Sequence, residues 1–435
     1  MIHCFKIGGR NLILDVNSGA LHSVDDAAFG VLKNMGEGRG EMGDSPATVR
    51  EEIQSLIDAG QLFAPDRAAE ARAHMRNRSP VVKALCLHIA HECNLRCAYC
   101  FAGKGNYSET DRGLMPFAVG KNALDFLIEN SGTRRNLEVD FFGGEPMLNF
   151  DVVKKIVAYG REREVAAGKN FRFTLTTNAA LLDDENIAYI NKTFDNVVLS
   201  LDGRKHVNDG MRRLASGGGS YEKILPKIKA LADARGHENY YVRGTYTRHN
   251  LDFAADVLHL ADAGFVNISV EPVVASPSAD YSIREEDLSA LFVQYEILAE
   301  ALLAREREGR GVRFFHFEID PTGGPCVARR VTGCGAGAEY LAVTPSGKLY
   351  PCHQFVGDEQ FLLDAPSPTF SDCHVYTKPE CIDCWAKFYC GGGCFATAFY
   401  MNGDIAKPDR ISCELMKKRV ECALYVFSER QLGSS

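Results

Sequence analysis

Residues 81–101 read VVKALCLHIAHECNLRCAYCF, and the reading of this stretch decides the fold. Its first ten positions are apolar apart from Lys83 and His88, the composition of a buried strand. The strand runs into Cys93, Cys97 and Cys100, spaced CxxxCxxC and followed by an aromatic residue, Phe101. Three sulfurs on one loop can converge on one side of an inorganic cluster. They are one ligand short of closing a tetrahedral metal site. The isolated motif leaves two readings: an iron–sulfur cluster with one iron open to another ligand, or a zinc site or chance spacing.

Outward from this stretch the pattern repeats. Strand candidates LEVDFFGG, FRFTLTTN, NVVLSLDG, YYVRGTYT and FVNISVEPVV alternate with helix candidates near residues 116–130, 149–163, 183–192, 221–234 and 251–263. Counting the strand at residue 84, six units fit between residues 84 and 308, which predicts parallel strands joined by right-handed crossovers. The expected class is α/β, a partial (β/α)6 barrel over residues 81–313 with chemistry at the carboxyl ends of its strands. Upstream, HCFKI, NLILDV and ALHSVD, separated by GG and NSG turns, predict a three-stranded ribbon. DDAAFGVLKNM reads as a helix, and SPATVREEIQSLIDAG as a second with Ser45 at the N-cap, Pro46 in the first turn and Gly60 at its end. This winged-helix-like unit and a polar linker fill residues 1–80. Its free ribbon edge suits strand addition by a peptide; a small domain that merely decorates an enzyme is the plainer reading. Over residues 314–435 the glycine- and cysteine-rich segments lack the apolar patterning for core burial alone, so metal is expected to add stability.

Composition sets limits on function. The 435-residue chain is 46% hydrophobic and 24% charged, enough for two or three cored domains. Its net charge of -8 carries no basic excess, which argues against a sequence-independent grip on nucleic acid. The start, MIHCFKIGGR, shows no positive segment leading into an apolar one, and no run of about 18 apolar residues occurs. Neither membrane nor export is expected, and the expected compartment is cytoplasmic. There the 15 cysteines stay reduced, to ligate metal or do chemistry rather than form disulfides.

Polar residues collect at the predicted strand ends. Gly143–Pro146, GGEP, closes the second strand; its glycines let backbone approach a ligand, and Glu145 offers an acceptor to an ammonium group. Thr176 and Asn178 close the third strand, Ser200–Gly203 (SLDG) closes the fourth, and Arg243 stands on the fifth. In this order, behind the cysteine loop, the motifs resemble radical S-adenosylmethionine (SAM) enzymes over residues 84 to about 274. The resemblance implies a [4Fe-4S] cluster on Cys93, Cys97 and Cys100 whose fourth iron takes the amino and carboxylate groups of SAM. It places Gly143, Gly144, Glu145 and Pro146 at the amino group, Ser200 and Asp202 at the ribose position, and Tyr99 near adenine, where an ordinary core role for Tyr99 stays open. Thr176 and Asn178 are expected to face the same cavity, and Arg243 suits the methionine carboxylate.

The last quarter holds a second pattern. Cys334 and Cys352 flank Gly347, then Cys381, Cys384, Cys390 and Cys394 follow as CxxCxxxxxCxxxC, with Cys413 at a distance. This is similar to the seven-cysteine SPASM extension of enzymes that modify peptides or proteins. By that resemblance Cys334, Cys352 and Cys394 serve one auxiliary [4Fe-4S] cluster and Cys381, Cys384, Cys390 and Cys413 a second, which makes three [4Fe-4S] clusters in all. Either Cys326 completes the first auxiliary cluster or a substrate thiolate binds its open iron. Cys373 is equally ambiguous, Cys4, Cys86 and Cys422 read as buried cysteines, and His353 as a structural hydrogen-bonder.

Over nearly the full length, LDVNSGALHSVDD, GAEYLAVTPSGKLYPCHQFVG and CIDCWAKFYCGGGC resemble the maturases of six-cysteine (SCIFF) ribosomal peptides. The resemblance implies thioether crosslinks, cysteine sulfur to carbon, in a cysteine-rich precursor peptide whose leader the N-terminal unit holds. It also implies an electron donor such as flavodoxin or ferredoxin. In that chemistry reductive cleavage of SAM gives a 5'-deoxyadenosyl radical, the radical takes hydrogen from a substrate carbon, and a peptide thiolate closes the bond as the surplus electron returns to a cluster. No protein acid or base is expected in the central step. Epimerisation, carbon–carbon crosslinking and formylglycine formation are neighbouring outcomes, and a zinc-stabilised peptide-binding protein is the non-catalytic one.

Overall fold

The computed structural model describes all residues except 41, 43, 44, 77–79, 108–112, 320, 322–330 and 434–435. They form two compact units, Met1–Arg78 with Glu285–Gly333 and Asp372–Ser435, and Ser79–Arg284 with Cys334–Ser371. Each unit is therefore assembled from separated stretches of chain.

In the first unit, β1 (Ile2–Ile7), β2 (Arg10–Asp15) and β3 (Leu21–Val24) form the expected antiparallel ribbon. Ile13 of β2 packs against Phe29 and Leu32 of α1 (Asp26–Gly36) and Val49 and Ile53 of α2 (Ala47–Asp58), which closes a small core. Asp25 caps α1 by accepting from the Ala28 N–H, as a short acidic side chain does at this position. Ser45 does not cap α2: its hydroxyl donates to the Met42 carbonyl, and Pro46 takes the N-cap without a side-chain bond. The stretch read as a polar linker contains a helix, α3 (Ala68–Arg76), rich in the alanine, glutamate and arginine that favour helix without tertiary help. Two long helices, Leu288–Arg307 and Arg410–Leu432, pack on each other, and β1 lies on the second. Here His3 Nε2 meets Glu421 at 2.9 Å and the Arg10 Nε donates to Glu429 at 2.7 Å. At Gly8, a Cβ would stand 2.2 Å from the Tyr425 hydroxyl oxygen, so the ribbon's first turn accepts nothing larger.

In the second unit, β4 (Ala84–Ala90), β5 (Asn136–Gly143), β6 (Asn170–Thr177), β7 (Asn196–Ser200), β8 (Tyr240–Tyr246) and β9 (Asn267–Pro272) lie side by side in chain order. Every neighbouring pair is parallel. The crossovers run through α4 (Phe117–Asn130), α5 (Phe150–Ala167), α6 (Asp184–Thr193), a short α7 (Lys205–Met211) with α8 (Tyr221–Ala234), and α9 (Phe253–Asp262). This is the expected α/β partial barrel, with α7 added. A strand not foreseen, Tyr340–Val343, joins the outer edge of β4 in parallel, and Leu349–Tyr350 pairs antiparallel to it. One face of the sheet, with Leu87, Val139, Phe141, Phe173, Leu175, Leu199, Val242 and Ile268, is sealed from water. The other face carries Asp140, Phe142, Thr174, Thr176, Ser200 and Arg243, the lumen of the barrel. Strand alternation alone segregates these two sets. Among the described residues no helix is long and apolar enough to cross a membrane.

Candidate active site

The loop after β4 is fixed by backbone bonds to the segment that follows α7. The Arg96 N–H donates to the Arg213 carbonyl at 2.7 Å and the Ala98 N–H to Met211 at 2.8 Å, while Leu95 is fully buried between them. The sulfurs accept hydrogen bonds in turn: Leu95 N–H to Cys93 Sγ at 3.4 Å, Lys104 N–H to Cys100 Sγ at 3.3 Å, and Asn178 Nδ2 to Cys93 Sγ at 3.7 Å. Such bonds favour thiolate over thiol and are one of the levers on a cluster's potential. Burial works against them, pushing the Cys93 thiol up to about 12 and raising Cys97. Without a metal the Cys93 and Cys97 thiols keep their protons at neutral pH, so neither is a free nucleophile.

Cys93, Cys97 and Cys100 open onto a cavity of about 140 Å³, whose walls also contain Tyr99, Gly143, Gly144, Glu145, Thr176, Asn178 and Ser200. The GGEP turn is pressed onto the backbone that leads to Cys93. A Cβ on Gly143, whose φ is +121°, would come 2.5 Å from the Ala90 carbonyl oxygen, and one on Gly144 2.1 Å from that of Glu92. The Tyr107 hydroxyl donates to the Gly143 carbonyl at 3.1 Å and holds the turn from outside. Glu145 is buried, and burial raises its carboxyl pKa, an effect that three donors offset only in part: the Thr177 hydroxyl at 2.6 Å and the N–H groups of Asn178 at 2.8 Å and Met147 at 3.1 Å. Pro146 begins the turn behind the cavity, Pro146–Asn149. Asp202 lies beneath the wall, where the Tyr99 hydroxyl donates to it at 2.6 Å. Arg243 is not among the lining residues and instead pairs with Glu271 at 3.3 Å.

Arg212 lines the cavity and escaped the sequence reading. It donates to the Tyr99 hydroxyl at 2.9 Å, sits 3.8 Å from Asp202, and its buried Nε has no hydrogen-bond partner among the described residues. Burial opposes its charge, but Tyr99, Cys97 and Asp202 hold the guanidinium well above its ordinary pKa. Nothing local marks it in GMRRL; only the folded neighbourhood of α7 does. Phe101 and Phe142 line the cavity too, and the aromatic character of Phe101, behind the third cysteine, was the one signal available. Three thiols, a carboxylate with fixed orientation, a hydroxyl and an unsatisfied guanidinium around one small space suit a cluster together with a zwitterionic amino acid.

In the first unit Cys381, Cys384, Cys390 and Cys413 line one cavity of about 640 Å³. Gly391, Gly392 and Gly393, with φ of +69°, +92° and +78°, carry the chain through a left-handed turn that no other residue type follows cheaply. The buried Lys378 ammonium donates to the Gly392 carbonyl at 2.8 Å and pins this turn. Burial pushes the Cys381 thiol up to about 11 and Cys413 up to about 12. Cys334 and Cys352 belong to the second unit and Cys394 to the first. Cys326 lies outside the described residues. Cys373 is buried and its Sγ meets the Ile405 carbonyl at 3.6 Å; Cys86 and Cys422 are buried, and Cys4 is half-buried.

Comparison with known proteins places this geometry. The model for the Radical SAM superfamily matches residues 87–258. An uncharacterized protein of Methanocaldococcus jannaschii is 32% identical over 136 residues, 31% of this chain, and the chain spans only 44% of that relative's length. The radical SAM cyclopropyl synthase TigE of Paramaledivibacter caminithermalis is 20% identical over 375 residues, covering 77% of this chain and 72% of the relative. A cysteine-type anaerobic sulfatase-maturating enzyme of Clostridium novyi is 24% identical over 360 residues, covering 76% and 91%. Among solved structures, native anSMEcpe with bound AdoMet and Cp18Cys peptide superposes with a TM-score of 0.66 at 19% identity, over 82% of this chain and 100% of that one. Streptococcus suis SuiB bound to precursor peptide SuiA gives 0.53 at 16% identity, over 94% and 98%. At these identities the two likenesses show a shared fold.

Proposed function

We propose, from the match of residues 87–258 to the Radical SAM superfamily model, that the protein is a radical SAM maturase that forms thioether crosslinks in a cysteine-rich precursor peptide. The observation that carries the enzymatic part is the cavity in which one loop's three cysteines meet Glu145, Ser200 and Arg212. The peptide as substrate is supported by relatives named for sulfatase maturation and by neighbours of the same fold with bound peptides. The thioether outcome rests on the resemblance of three long segments to the six-cysteine peptide maturases.

When bound, the cluster and SAM supply a 5'-deoxyadenosyl radical. The chain's own residues prepare for it. Cys93, Cys97 and Cys100 would hold the cluster as thiolates, helped by the N–H groups of Leu95 and Lys104. Glu145, its oxygens already oriented by Thr177, Asn178 and Met147, is placed to accept from the amino group of SAM. Arg212 offers its Nε to the carboxylate, a charge-assisted bond in a dry site. Tyr99, held between Asp202 and Arg212, presents a fixed aromatic face to the cofactor. Cys381, Cys384, Cys390 and Cys413 would hold a closed second auxiliary cluster, and Cys334, Cys352 and Cys394 a first one completed by Cys326 or by the substrate thiolate.

Incubating the reduced, anaerobic protein with SAM and a cysteine-rich precursor tests the reading. Each crosslink should remove two hydrogens and one thiol open to alkylation, with 5'-deoxyadenosine formed in step. A modified peptide of unchanged mass points to epimerisation and rejects the thioether. No 5'-deoxyadenosine at all rejects radical chemistry.

A further inference from the structure

Arg243 and Glu271 are not accounted for by the cofactor cavity. In the sheet, Ser200 stands beside Arg243, and Thr245, two residues on, stands beside Glu271. Side chains in register on neighbouring parallel strands project to the same face. Ser200 lines the cofactor cavity, so Arg243 and Glu271 share the lumen face with it. They pair at 3.3 Å and their side chains remain 45% and 35% exposed. Both act electrostatically on His353, whose ring packs at 5.2 Å on Phe101 and 5.1 Å on Phe142. Those two phenylalanines line the cofactor cavity, and Phe101 is 46% exposed. A surface within one compact unit thus leads from the cofactor cavity over Phe101 and His353 to the Arg243–Glu271 pair.

We infer that Arg243 and Glu271 bind the backbone of the substrate peptide beside the residue that loses hydrogen, with Phe101 and His353 forming the floor under that residue's side chain. The inference rests on the peptide reading above and names what this part of the site recognises. A guanidinium and a carboxylate in contact are neutral as a pair, and a charged side chain would capture one of them and leave the other uncompensated. A peptide unit instead presents one N–H and one C=O. Glu271 accepts the first and Arg243 donates to the second, and neither gives up its partner, because a carboxylate has about four acceptor sites and a guanidinium five N–H groups. Reading backbone rather than side chain also suits a site that must accept successive positions along one peptide. Arg212, buried and short of a partner at Nε, then takes the methionine carboxylate that sequence alone had given to Arg243.

The test uses the full-length, anaerobically reconstituted enzyme and its Arg243→Gln, Arg243→Lys and Glu271→Gln variants, with SAM affinity measured by calorimetry and peptide KM by mass-resolved turnover. Loss of one charge-assisted bond is expected to raise peptide KM about tenfold in Arg243→Gln and Glu271→Gln. SAM affinity should stay within about twofold of wild type, and Arg243→Lys, which keeps a cationic donor, should recover part of the KM. A tenfold weaker SAM affinity with unchanged peptide KM overturns the inference and returns Arg243 to the cofactor. A wild-type enzyme that cleaves SAM and alters no peptide overturns the peptide reading itself, and this inference with it.

Discussion

At the residue scale, Asp140 is a lumen carboxylate whose charge the barrel opposes. It faces the lumen from β5, and burial, reinforced by Glu138 nearby, lifts its pKa from 3.8 to about 7 in spite of a bond from Thr174. Between those two values the folded protein binds more protons here than the unfolded chain, so stability falls as pH rises through the window and the loss is complete above pH 7. At about 1.4 kcal/mol per unit, the shift implies a loss of about 2–3 kcal/mol between pH 5 and 8. Asp140→Asn is neutral throughout and should lack this slope. Denaturant midpoints at several pH values check it, and parallel curves for wild type and variant would contradict a strained carboxylate. Most of the residues lining the cavity were legible because each sat inside a short motif at a strand end, where loop positions carry function. Arg212 was not, since nothing in its local sequence distinguishes a buried cavity-lining arginine from a solvated one.

At the element scale, six strand–helix units were readable because each carries its own periodicity and its own punctuation. The strand Tyr340–Val343 was not, because its partner β4 lies far away in sequence and a four-residue apolar run has no local signature. The packing of the N-terminal ribbon was also not legible in the sequence. Read from sequence, the ribbon is a separable leader-binding element; folded, β1 covers the helix Arg410–Leu432 in the same unit. His3 of β1 also stacks on Trp385 at 3.7 Å with the rings 4° apart, and Trp385 follows Cys384 directly. Deleting residues 1–64 would therefore uncover core and is no clean test of peptide binding. His3→Ala is the gentler probe and should cost about 1 kcal/mol through the lost ring contact. Because the chain has a single tryptophan, its emission reports the change directly. Unaltered emission and an unaltered thermal midpoint would show that the stack contributes nothing.

At the scale of the whole molecule, the chain interleaves its units: the first is built from three separated stretches and the second from two. A linear reading expects domains in succession, and neither hydrophobic periodicity nor composition announces that a chain will return to an earlier unit. The cysteine spacings are read more easily than the domain order, because such patterns are local even where the fold is not. Of the ten cysteines proposed as cluster ligands, four, Cys381, Cys384, Cys390 and Cys413, line one cavity, and three, Cys93, Cys97 and Cys100, line another. The central claim is that these sulfurs hold iron in three clusters, one of them open to SAM. It is tested most directly by the iron and acid-labile sulfide content of the anaerobically reconstituted protein beside its Cys93→Ala variant. The account predicts about twelve of each per wild-type chain and about eight in the variant. A wild-type content near four, or zinc in place of iron with no loss in the variant, would contradict it.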